Sequence, residues 1–144
     1  MTSYTVDLLE GLAELMTAEG LGVYRPDSPI RPGETPIVLG AMPEEPARAY
    51  VLTPYPVEDT DTTDAITAVQ IRYRAGPDLR EVWSLADGAF RLLHERRRYR
   101  LRSVYVALSW RESAGLMGQD AAGRTELTSN FYFRTTRPGP FLND

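Results

Sequence analysis

Apolar and polar positions divide the chain into segments of two periods. Leu8, Leu9, Leu12, Leu15 and Met16 fall on one helical stripe, with Asp7 in a first turn and Gly20-Leu21 as a stop, so a helix is predicted over about residues 5–19. Tyr24 to Pro46 is broken by Pro26, Pro29, Pro32, Pro36 and Pro43, and reads as loop with one short strand near Ile37 to Leu39. Arg48 to Thr53 reads as a strand that ends at Pro54, and Pro56 leads into the acidic loop Glu58 to Asp64. From Ala65 to Arg74, Val69, Ile71 and Tyr73 alternate with Gln70, Arg72 and Arg74, the pattern of a strand with one buried and one polar face. After the start signal Gly76-Pro77-Asp78, the residues Leu79, Val82, Trp83, Ala86, Ala89, Phe90 and Leu93 keep helical spacing over four turns. Two β-rich runs follow, Tyr99 to Trp110 and Thr125 to Thr136, joined by a segment carrying Gly115, Gly118 and Gly123 that reads as the long mobile tip of a hairpin.

The order α-β-β-β-α-β-β predicts an α+β fold: an about five-stranded, mainly antiparallel sheet, two helices packed on one face, and a long β-hairpin. Residues 1–137 are expected to form a single domain, because 144 residues suffice for one core and not for two. Arg137-Pro138-Gly139-Pro140 cannot extend a strand, so 138–144 reads as a C-terminal tail, free or docking. The sheet face carrying Gln70, Arg72 and Arg74 must meet water, a neighbouring subunit or nucleic acid.

Composition removes whole chemistries. With 42% hydrophobic and 25% charged residues the chain is globular in character, and no apolar run approaches the twenty or so residues of a bilayer crossing, so no membrane partner is expected. There is no basic, apolar and cleavable leader pattern, and the protein reads as intracellular or carried in a particle. All sixteen cations are Arg, there is no Cys and no Lys, and His94 is the one His. A thiol nucleophile, a thiolate zinc site, a Schiff base, an ordinary P-loop and an HExxH pair are therefore excluded, and neither an enzyme nor a cofactor is expected. A hydrolase working through a carboxylate pair would need two acids marked by context, and none is so marked.

Charge is divided unequally. Residues 1–64 hold twelve acids and three Arg, net −9, whereas residues 65–144 hold eight acids and thirteen Arg, net +5. Such polarity could set the acidic part of one subunit against the basic part of the next, as head-to-tail interfaces require two different complementary surfaces, or folding could interleave the two halves. The acidic run Glu58-Asp59-Thr60-Asp61-Thr62-Thr63-Asp64 lacks the Gly and bidentate Glu of a calcium loop and reads as solvated, with no metal site. The run Arg96-Arg97-Arg98-Tyr99-Arg100-Leu101-Arg102 could contact phosphates, yet cations complement a helix C-terminus, and Arg98, Arg100 and Arg102 would alternate onto one exposed strand face. The run therefore reads as structural support or protein contact, and nucleic acid is not an expected partner of an acidic chain. His94 reads as a capping or surface residue, and Trp83 and Phe90 as core.

The order of features resembles the tail-terminator, or tail-completion, proteins of long-tailed bacteriophages, a family also described as minor capsid proteins. The residues that carry the resemblance are the opening helix ending in Gly20-Leu21-Gly22-Val23-Tyr24, Met42-Pro43 with Pro46, and Ala65-Ile66 through Gln70-Ile71-Arg72-Tyr73-Arg74. It continues in Gln119-Asp120 and in Gly123-Arg124-Thr125-Glu126 leading to Asn130-Phe131-Tyr132-Phe133. The resemblance implies a structural virion protein that forms a homo-oligomeric ring of six on the head-proximal end of the tail tube. Such a ring stops tube growth and joins tail to head, with the tail tube protein and a head-neck connector as partners. Its place would be the virion tail or neck, after assembly in the host cytoplasm. No catalytic residues are implied. Arg72, Arg74, Arg98, Arg100 and Arg102 are the candidate interface residues. The alternatives are a head-completion or neck adaptor facing packaged DNA, and a generic protein-binding module.

Overall fold

The structure, a computed structural model, describes residues 3–143. Helix α1 spans Tyr4–Ala18 and α2 Leu79–Leu93; the strands are β1 (Ile37–Leu39), β2 (Ala49–Asp59), β3 (Asp64–Arg74), β4 (Arg96–Leu101), β5 (Val104–Gln119) and β6 (Thr125–Thr136). They form one six-stranded sheet in the order β1-β2-β3-β6-β5-β4. Every pairing is antiparallel except β1 with β2, which is parallel, so the sheet is mixed and has one strand more than expected.

Both helices begin and end on local chemistry. The Ser3 hydroxyl accepts from the Val6 N–H at 3.0 Å to cap α1, and the Asp78 carboxylate accepts from the Arg80 N–H at 3.0 Å to cap α2. At the end of α1, Gly20 takes φ +79° and Leu21 N–H returns to the Met16 carbonyl at 2.9 Å, a closure that a left-handed glycine permits. Leu8, Leu12 and Met16 of α1 and Val82, Ala86, Ala89 and Leu93 of α2 share one apolar cluster with Val69, Ile71, Tyr73, Phe131 and Phe133 of the sheet. Tyr50 and Tyr73 meet edge to face at 5.7 Å, and the buried Tyr73 hydroxyl donates to Ser129 Oγ at 3.0 Å, so its polar end is satisfied inside the core.

The predicted run Tyr99 to Trp110 is two strands, not one. The chain reverses at Arg102 and Ser103, pairing Leu101 with Val104, and Arg102 occupies left-handed backbone at φ +52°. Arg102 thus lies in a turn, so Arg98, Arg100 and Arg102 do not share a strand face. The strand expected to stop at Pro54 continues to Asp59. Tyr50 N–H donates outward to Pro36 and the Leu52 carbonyl accepts outward from Gly40. Strand alternation aims Pro54 and Pro56 the same way, past the end of β1, where a missing N–H breaks no ladder bond. The glycine segment expected as a mobile tip is also strand. Pairing of β5 with β6 runs to Gln119 and Thr125, with bulges between Val106 and Leu108, Arg111 and Ser113, and Leu116 and Gly118. The remaining turn is tied by Asp120, whose Oδ1 accepts from the N–H groups of Ala122 and Arg124 at 3.0 and 2.9 Å. Beyond Arg137 the chain docks on the β2–β3 turn, where Asn143 N–H reaches the Asp61 carbonyl at 2.7 Å.

Candidate assembly surfaces

The helices cover one sheet face, and the other carries the even-numbered residues of β3. There Arg72 Nε donates to Glu126 Oε1 at 2.6 Å, and Arg134 pairs with Asp64 through Nε at 3.0 Å and Nη2 at 2.5 Å. The Arg134 guanidinium holds the Asp64 carboxyl below its ordinary range. Asn130 lies at the centre, accepting from the Tyr55 hydroxyl at 2.9 Å and donating to Ser113 Oγ at 3.0 Å, while Trp110 and Tyr132 meet edge to face at 5.8 Å. The face is polar and aromatic, with its charges matched across strands.

The five arginines singled out from sequence occupy different environments. Arg72 is paired with Glu126 as above. Arg74 is 3% exposed, and its guanidinium donates to the carbonyls of Ala47 and Pro46, both at 2.8 Å. Burial pulls its pKa below that of an ordinary arginine. Arg102 grips α1, donating to both oxygens of Glu14 at 3.0 and 2.7 Å and to Glu10 at 2.9 Å, and this holds the Glu14 carboxyl below its ordinary range. These three guanidinium groups are therefore engaged within the subunit. Arg98 and Arg100 are exposed on β4. Among the described residues Arg100 donates to the Ser103 carbonyl alone, at 3.4 Å, and lies over the Tyr105 ring at 5.7 Å. Arg98 has no hydrogen-bond or ion-pair partner among the described residues, and holds φ +55° between Arg97, paired with Leu108, and Tyr99, paired with Val106.

Arg97, not among the expected interface residues, adds to this edge. Its partner Glu95 is 3.3 Å away, and both side chains are more than half exposed (63% and 52%), so the pairing is a loose surface one. At the opposite edge, Glu58 and Asp59 close β2 without an ion-pair partner among the described residues. The register connects the two edges. Glu58, Ile66, Arg134, Leu108 and Arg97 lie in one cross-sheet row, and Asp59, Ala65, Thr135, Val106 and Tyr99 lie in the next.

A family model described as bacteriophage tail terminator protein matches residues 15–137, nearly the whole folded unit. The chain belongs to that family. Its fold is similar to that of a chain in the virion of a native gene transfer agent particle, with a TM-score of 0.55 at 15% identity, covering 69% of this chain and 78% of that one. No curated protein matches it. The protein is accordingly a structural protein of the virion tail.

Other candidate sites take ordinary structural places in the fold. His94 caps α2, stacks on Phe90 at 4.5 Å, and accepts the Arg111 N–H at Nδ1. Phe90 is only partly covered, held between His94 and the Arg111 guanidinium, whereas Trp83 packs against the core cluster. The acidic run splits between the end of β2, a turn tied by Thr60 and Thr62, and Asp64 on Arg134. Among the described residues no group of three carboxylates or imidazoles is placed to hold a metal ion, and no helix is long and apolar enough to cross a membrane.

Proposed function

We propose that the terminator works by assembly: six copies close into a ring at the head-proximal end of the tail tube, stop its growth and offer a surface to the head. The tail tube protein would meet one side of the ring and the head-neck connector the other, with assembly in the host cytoplasm. The observation that carries this reading is the family match across residues 15–137. It is supported by a sheet whose two edges differ in charge, since a cyclic ring needs two unlike surfaces per subunit. Nothing in the proposed role requires bond-making chemistry.

Native mass spectrometry across protein and salt concentration tests the reading. A closed species near six copies is expected, losing subunits as salt screens its charged contacts. A protein that stays monomeric and also fails to cap purified tail tubes in electron micrographs would overturn it. Salt-sensitive retention of DNA by Arg97, Arg98 and Arg100 would redirect the role to a neck adaptor facing packaged DNA.

A further inference from the structure

We infer that neighbouring copies join through opposite sheet edges, the Glu58–Asp59 end of β2 in one copy meeting Arg97 and Arg98 of β4 in the next. This rests on the ring reading above and specifies its contact. Three observations carry it. Glu58 and Arg97 lie in the same cross-sheet row, and Asp59 lies in the row of Tyr99, next to Arg98. A rotation axis running along the strands therefore brings the acidic end of one copy to the height of the basic strand of the next. The charges are also available: Arg98, Glu58 and Asp59 have no ion pair within 4 Å among the described residues, the field of Glu58 reaching only as far as Arg134 two places along its row, and Arg97 has the exposed Glu95.

The third observation concerns what the edges cannot do. Pro54 and Pro56 remove outward donors from the free part of β2, so another strand cannot add there by a backbone ladder. The contact is then one of side chains, and their charges select its symmetry. A two-fold contact through either edge would set Arg97 and Arg98 against their own copies, or Glu58 and Asp59 against theirs. The head-to-tail contact sets opposite charges together and repeats around a ring.

Two variants separate this contact from any other. Glu58→Arg with Asp59→Arg makes both edges basic, and Arg97→Glu with Arg98→Glu makes both acidic. Each alone should raise the concentration needed for half-assembly at least about tenfold. Mixed in equal amounts, they should form rings in which the two variants alternate. Circular dichroism confirms that each is folded, and Arg98→Gly, which suits the left-handed backbone, provides a milder charge loss.

Absence of cysteine from the chain allows a covalent test. Glu58→Cys and Arg97→Cys in one chain are four strand spacings apart, roughly 19 Å, too far for an internal disulfide. Oxidation of assembled protein, in solution or on tail tubes, should give a ladder of covalent oligomers ending at the closed ring, while either single-cysteine variant stays monomeric under denaturing conditions. Wild-type rings accompanied by no ladder, and by reversed variants that assemble normally, would overturn this contact and leave the ring standing. Dimers from a single-cysteine variant would indicate a two-fold contact and overturn it as well. Wild-type protein that neither forms rings nor caps tubes would remove the ring itself.

Discussion

Arg74→Met distinguishes an arginine that holds the subunit together from those that present charge outside it. Arg74 Nε donates to the Ala47 carbonyl at 2.8 Å, and Nη2 donates to Pro46 at 2.8 Å and more weakly to Glu44 at 3.4 Å. Arg124 donates to the same Glu44 carbonyl at 2.6 Å, so two guanidinium groups clasp the segment that leads from β1 into β2. Methionine keeps most of the apolar stem and removes every donor. Two well-formed hydrogen bonds from a charged donor are worth roughly 3–6 kcal/mol gross. Relief from burying the guanidinium, and access of the freed carbonyls to water, offset part of that and leave about 2–3 kcal/mol of destabilisation. For a chain of this length the loss corresponds to a fall in Tm of roughly 6–15 °C. Circular dichroism melting and urea titration measure it, and native mass spectrometry well below the melting range should still find the wild-type oligomer. A Tm within about 2 °C of wild type, or loss of the oligomer at unchanged stability, would refute the assignment of Arg74 to internal support.

Gly11→Ala should destabilise the fold even though alanine is ordinarily the better helix residue by about 0.5–1 kcal/mol. Its Cβ would lie 2.6 Å from the Leu101 carbonyl carbon and 2.7 Å from its Cα, so α1 must lift from β4. A net loss of about 1–2 kcal/mol is expected from urea midpoints, and a raised midpoint would show that α1 is not seated on that strand. Glu34 supplies a pH dependence: hydrogen bonds from Arg25, and then from the Arg31 N–H, hold its carboxyl down from 4.5 to about 2. Its stabilising contribution is therefore complete above pH 4.5 and is lost as pH falls from there toward 2. Glu34→Gln should lower stability at neutral pH and flatten the acid decline within that window, and thermal melts of both proteins at pH 2.5, 4 and 7 check it.

The elements legible in the sequence were those whose signals are local. The stripes of α1 and α2, the start signal at Asp78, and the stop at Gly20 depend on residues a few positions apart, as does the alternation of β3. The division of Tyr99 to Trp110 into two strands was not legible, because its turn has none of the usual Gly, Asn or Pro. Arg102 holds the left-handed position, and what fixes it there are ion pairs with Glu10 and Glu14, about ninety residues earlier in the chain. Pro54 and Pro56 misled for a related reason: a proline ends a central strand and is harmless on an edge, and the edge is a property of strand order.

Charge followed the same division between local and global. The unequal halves could be counted in the sequence, but a count assigns no position, and three of the five arginines chosen for exposure prove to be engaged within the subunit. The row linking Glu58 to Arg97 depends on four successive pairings among five strands, so no spacing along the chain could display it. Within one subunit that row joins an acid to a base without bringing them together, because four strand spacings separate them. In the proposed ring that attraction is met between copies, and the register that builds the sheet then favours a head-to-tail contact over a two-fold one.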